Sequence, residues 1–207
     1  GINSRRNFPR KTVIDPQLSM TAPMESVIAT AMDSLVHCID SFGSQKHTPL
    51  SRIFSVEGFQ RTFYALRQGQ LDRAESRLDL AIGSICGTAA LMNSGDGPTN
   101  GFAYYLGVKH NVPHGLAGAI FLQEVMRYNF DRGYEKYALL NPMRSSPSAR
   151  EATQELLAEM DDLYRDLRIP NLVPYGYAKS NAPEFARNVS AALKGSFAGT
   201  PADATPT

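Results

Sequence analysis

Apolar side chains recur every three to four residues along most of this chain, the period that gathers them on one side of an α-helix. Between Pro23 and Phe42 the stripe is Met24, Ile28, Met32, Leu35 and Ile39. Thr21 precedes it as the expected cap, and Pro23 suits a first turn, where its missing N–H costs nothing. A second stripe, Phe54, Phe59, Phe63 and Leu66, predicts a helix from about Arg52 to Arg67. A third, Leu78, Ile82, Ile85 and Ala89, predicts one from about Leu71 to Met92. Its stretch AIGSICGTAALM is poor in large side chains, so a neighbouring helix can approach closely there. A short helix through Phe102–Val108 and an apolar one over Leu116–Tyr128 come next. Two charged amphipathic helices, about Ser148–Arg168 and Pro183–Leu193, complete the set.

The breaks in the pattern organise the rest. In FPRKTVIDPQ, the β-prone Thr12, Val13 and Ile14 are stopped by Pro16, which predicts a short extended segment at the N-terminus. NSGDGPTNG holds three glycines and a proline in nine residues and predicts a loop. The closing GTPADATPT has no apolar period. There is no internal repeat and no domain-scale linker. The expectation is therefore one all-α domain, a helical bundle over residues 1–195, with residues 196–207 as a disordered tail.

Composition changes this picture little. The chain is 43% hydrophobic and 20% charged, with 21 basic against 20 acidic residues. So even a balance gives no electrostatic reason to expect nucleic acid or an anionic membrane as partner. No run approaches the roughly 20 apolar residues of a membrane span, and GINSRRNFPRK lacks a signal core. Cys38 and Cys86 lie far apart in apolar helical stretches, which predicts two buried reduced thiols in preference to a disulfide. A cytoplasmic location is the corresponding expectation. Neither GxGxxG after a strand nor GxxxxGK[ST] occurs, so a nucleotide site of those types is not expected within this chain.

Two segments can carry chemistry. Asp33 and His37, in AMDSLVHCID, are four apart on a helix and project from one face. Such a pair can grip a divalent cation, or it can be an ordinary hydrogen-bonded surface pair. In GVKHNVPHG, His110 and His114 flank a turn made by Asn111 and Pro113. A histidine at a helix start can be a ligand or simply a capping or packing residue. His47, in SQKHTP, is expected to be plain surface.

The stretch TVIDPQLSMTAPMESVIATAMDSLVHCIDSF resembles one in the iron-containing (group III) alcohol dehydrogenases that ends in a "MDALxHxIE" helix. MNSGDGPTNGFAYYLGVKHNVPHGLAGAIFLQEVMRYN is similar to the same family's "SNxGxGxxHxxxHxLGxxxxxPHGxxxAxLLPxVMxYN". The likeness runs from about Thr12 to Tyr137. It implies the helical, metal-binding C-terminal domain of that family, whose fold type is dehydroquinate synthase-like.

By resemblance the metal ligands are Asp33, His37 and His114. The family's remaining ligand histidine falls fourteen positions before His114, where this chain has Asn100. A further active-site histidine, not a ligand, falls at Tyr104. An amide oxygen is a weaker, harder donor than imidazole, yet Asp33, His37 and His114 still make a set suited to Fe(II) and tolerable for Zn(II). His110 is a candidate substitute ligand. Tyr104 can act as a proton donor or acceptor, or merely line a pocket as an aromatic beside Tyr105.

The resemblance implies a metal-assisted, NAD(P)-dependent alcohol or polyol dehydrogenase. NAD or NADP would be bound mainly by an N-terminal nucleotide-binding domain that precedes this region, in cis or in trans. The chain would be the helical catalytic half, inactive alone, acting on a small alcohol or aldehyde, and it admits a homodimer. Two other outcomes stay open: a metal-free reductase of the same superfamily, and a non-catalytic helical module that has lost the site. Replacing two imidazoles by an amide and a phenol adds hydrogen-bonding groups, which leans toward a polar or polyhydroxylated substrate.

Overall fold

A computed structural model describes residues 9–95, 97–141, 145–177, 182–192 and 200–201. Among them are seven α-helices and no strand: α1 (Met24–Gly43), α2 (Pro49–Gln68), α3 (Ala74–Met92), α4 (Pro98–His110), α5 (His114–Asp131), α6 (Ala149–Asp166) and α7 (Ala182–Ala192). The described residues also hold short 3-10 turns at Pro16–Ser19, before α1, at Lys136–Leu140, between α5 and α6, and at Val173–Tyr175, between α6 and α7. The all-α expectation holds. The N-terminal segment runs as coil into the Pro16–Ser19 turn, and Val13 stays 89% exposed, with no strand among the described residues to pair with it.

Local chemistry explains the helix ends. Thr48 and Ser51 form a reciprocal capping box at the start of α2, and Gly69, at φ 67°, turns the chain out of its end. Ser148 caps α6 by accepting from the Glu151 N–H at 3.1 Å. Thr21 does not cap α1: Pro23 is the N-cap and no side chain accepts there.

Helix α1 is the axis of the bundle. Its Met32, Leu35, Val36, Ile39 and Phe42 are at most 1% exposed, and it packs against α2, α3 and α5. The third helix makes the close approach expected of its small-residue stretch, but its apolar stripe does not face inward. Leu78 and Ile85 of the predicted stripe are 36% and 45% exposed, whereas Gly83, Cys86, Gly87 and Ala90 are buried. The small residues won because they admit the neighbouring backbone: a Cβ on Gly87 would lie 3.0 Å from the Ser34 carbonyl oxygen and 3.2 Å from the His37 Cβ. Both cysteines are buried and free, and desolvation pushes both thiols up, so neither is poised as a nucleophile.

A second apolar cluster, built on Ala103, Leu106, Val112, Ala117 and Phe121, joins α4 to α5. The predicted tail, residues 196–207, falls outside the described residues except at Thr200 and Pro201. Thr200 is buried; its hydroxyl donates to Asn129 Oδ1 at 3.0 Å and its carbonyl accepts from Gln45 Nε2 at 2.9 Å. No helix among the described residues is long and apolar enough to cross a membrane.

Candidate metal centre

Three helices bring polar side chains together at the junction of the two apolar clusters. Helix α1 contributes Asp33 and His37, whose spacing places them on adjacent turns of one face. Helix α5 contributes His114, its first residue. That residue is positioned by a tight connection. Asn111, at φ 54°, ends α4 in the left-handed conformation; Val112 is buried; Pro113 is the N-cap of α5. Gly115 then lets α5 meet α1, since a Cβ there would lie 2.0 Å from the Ala29 carbonyl oxygen and 2.8 Å from the Asp33 Cβ. Any side chain at that position would push His114 away from Asp33.

Helix α4 contributes Asn100, and here the predicted loop is shorter than expected. Helix α4 starts at Pro98, so Asn100 lies in its first turn and Tyr104 one turn on. The reason is a cap from far away in sequence. Asp40, on α1 and 6% exposed, accepts the Thr99 hydroxyl at 2.7 Å and the Asn100 backbone N–H at 3.1 Å. A carboxylate at a helix N-terminus satisfies the unpaired N–H groups and meets the positive end of the helix dipole. Gly97 makes room, because a Cβ on it would clash with the Asp40 carboxyl. Sequence reasoning missed Asp40, although Asp33, His37 and Asp40 at i, i+4 and i+7 mark a single polar face.

The donor atoms converge. Asp33 Oδ2 lies 3.8 Å from His37 Nε2, and Asp33 Oδ1 lies 3.7 Å from His114 Nε2. Each distance is too long for a hydrogen bond. Asp33 Oδ1 is buried with no hydrogen-bond partner. An unsatisfied buried carboxylate oxygen is costly, and a cation between the three side chains would satisfy it. The ligand atoms of Asp33, His37 and His114 all lie within 4.8 Å of one another. Two donors each about 2.1 Å from one ion in a tetrahedral shell are about 3.4 Å apart, so side-chain shifts on the order of an ångström close the set. The donors, two imidazoles and a carboxylate, suit Fe(II) or Zn(II).

Asn100 completes the cluster. With the proton on His114 Nε2, the imidazole donates to Asn100 Oδ1 at 2.8 Å. The amide oxygen therefore lies beside the clustered donors, held by the His114 imidazole. Tyr104 lays its ring 4.8 Å from that of His114 and remains 54% exposed. His110 does not join. At the end of α4 it pairs with the Tyr177 hydroxyl at 2.8 Å, which removes it as a substitute ligand. His47 is also elsewhere, its Nδ1 2.7 Å from the Ser44 carbonyl oxygen.

Comparison with known proteins bears on what such a cluster does. The model of the Fe-containing alcohol dehydrogenase family, C-terminal, matches residues 27–205. The chain is 28% identical over 192 residues to the 1,3-propanediol dehydrogenase of Klebsiella pneumoniae, covering 89% of this chain and 50% of that protein. It is 29% identical over 186 residues to the lactaldehyde reductase of Escherichia coli strain K12, covering 87% of this chain and 49% of that protein. The crystal structure of a 1,3-propanediol oxidoreductase superposes with a TM-score of 0.83 at 26% identity, over 95% of this chain and 53% of that one. The chain thus spans about half the length of the relatives it matches.

Proposed function

Because the chain belongs to the iron-containing alcohol dehydrogenase family, we propose that it is the helical, metal-binding half of a NAD(P)-dependent alcohol dehydrogenase. The observation that carries this reading is the convergence of Asp33, His37 and His114 around the unsatisfied Asp33 Oδ1. Those three side chains would hold Fe(II) or Zn(II), with the Asn100 oxygen as an additional donor. When bound, the ion supplies Lewis-acid polarisation of the substrate oxygen.

The chain's own residues do the remaining work of the site. Asp33 supplies the negative charge that balances a cation. Gly115 and Gly97 hold α5 and α4 close to α1, so His114 and Asn100 arrive without a large conformational change on binding. Tyr104 offers an exposed phenol beside His114, able to orient a hydroxyl of the substrate or exchange a proton with it. NAD or NADP would be held mainly by a nucleotide-binding domain supplied in cis or in trans. The activities named for the relatives above, on propanediol and lactaldehyde, together with the amide and phenol of this site, favour a short, polar alcohol or aldehyde as substrate.

Asn100 also supports a second reading, a metal-free reductase, since a neutral amide bonded to His114 already satisfies that imidazole. Calorimetric titration of Fe(II) or Zn(II) separates the two. One ion per chain is expected. Asn100→His should tighten it about tenfold, the equivalent of about 1.4 kcal/mol, by supplying a better nitrogen donor. His47→Ala and His110→Ala should leave it unchanged. Unaltered affinity in Asn100→His would count against a donor role for Asn100, and no binding by the parent protein would favour the metal-free reading. For Tyr104→Phe, the expected result in the assembled enzyme is a raised KM for a diol with little change for a simple alkanol. Equal KM changes for both would remove Tyr104 from substrate recognition.

A further inference from the structure

Alongside the candidate metal ligands, one turn nearer the start of α1, a cleft of about 300 Å³ opens between α1 and α3. Its walls carry the hydroxyls of Ser19, Ser26, Thr30, Ser34 and Ser84, together with the side chain of Arg77. Arg77 is 4% exposed. Its Nε donates to the Leu71 carbonyl, and among the described residues it makes no ion pair and no further hydrogen bond. A guanidinium has five N–H donors in a planar fork, so its two terminal nitrogens keep theirs for the cleft. The terminal nitrogens are not sealed from solvent as the rest of the side chain is, so an anion in the cleft can meet this unpaired charge directly.

We propose that this cleft is an oxyanion site that takes a phosphate group on Arg77. The planar fork matches two phosphate oxygens at once. Ser26 and Ser84, whose hydroxyls make no hydrogen bond to the described residues, supply further donors from opposite walls. The phosphate group has two sources, free inorganic phosphate or the phosphoryl groups of a dinucleotide. The site stands on Arg77 and its cleft alone and does not depend on the metal centre.

Calorimetry of the metal-free full chain with inorganic phosphate tests it. One phosphate should bind, and Arg77→Met should weaken it at least tenfold. Competition by NAD+ assigns the site to a dinucleotide, and failure to compete assigns it to the free anion; both outcomes require the site. A second variant guards against misfolding of the first. Ala81 lines the same cleft one turn after Arg77, so Ala81→Glu places a carboxylate within reach of the guanidinium. That variant should lose phosphate binding and gain about 2–4 °C in Tm. Absence of phosphate binding in the parent chain, unchanged affinity in Arg77→Met, or unchanged affinity in Ala81→Glu overturns the proposal.

Discussion

Asp33→Ala should abolish specific metal binding, with affinity for Fe(II) or Zn(II) falling at least 100-fold, about 2.7 kcal/mol. Asp33 is the single carboxylate among the clustered donors, and its two oxygens face the two imidazoles at 3.8 and 3.7 Å. Without it the site keeps neutral groups only, and a divalent cation loses its counter-charge. The metal-free protein should respond in the opposite direction. Asp33 Oδ1 is buried without a partner, so removing the carboxyl relieves a desolvation cost and leaves the apo Tm unchanged or higher. A residue kept for folding would show a lower apo Tm. Thermal melts with and without metal separate the two: the parent gains stability with saturating ion, about 2.7 kcal/mol at a hundred times Kd, and Asp33→Ala gains none.

The second large effect is expected at Asp40. It caps α4 through two hydrogen bonds to a buried carboxylate, and each such bond contributes about 1.5–3 kcal/mol. Asp40→Ala also leaves the fully buried Thr99 hydroxyl without its acceptor. A loss of about 3 kcal/mol follows, which lowers Tm by about 6–12 °C for a chain of this size. Metal affinity should fall as well, because the first turn of α4 carries Asn100. Asp40→Asn, which keeps one acceptor oxygen, should recover part of both. If Asp40→Ala lowers stability but leaves metal affinity at the parent value, Asp40 holds the helix and does not position the site.

The polar face of α1 that carries the candidate ligands was legible in the sequence, because a period of 3.6 and a spacing of four fix where Asp33 and His37 project. The convergence of His114 and Asn100 upon them was not legible from spacing. It depends on the left-handed turn at Asn111 and the close approach at Gly115, and it entered through the family motifs. On helix α3 the small-residue stretch correctly marks a close-approach face, and only the apolar stripe misleads. Its large apolar residues Leu78 and Ile85 lie outward while its glycines lie inward, since helix contact there is limited by backbone approach and not by side-chain volume. The start of α4 was hidden by its own composition. Gly95, Gly97 and Pro98 have the chemistry of a loop, and the cap that makes Pro98 a first helical residue comes from Asp40, some sixty positions away. A window of local sequence cannot contain that partner.

X-ray absorption on the zinc- or iron-loaded protein tests the proposed metal centre. One metal ion per chain is expected, with a first shell of two imidazole nitrogens and oxygen donors at about 2.0–2.2 Å. A shell containing sulfur at about 2.3 Å would point instead to Cys38 or Cys86. That result, or the absence of any bound metal under saturating conditions, would contradict it.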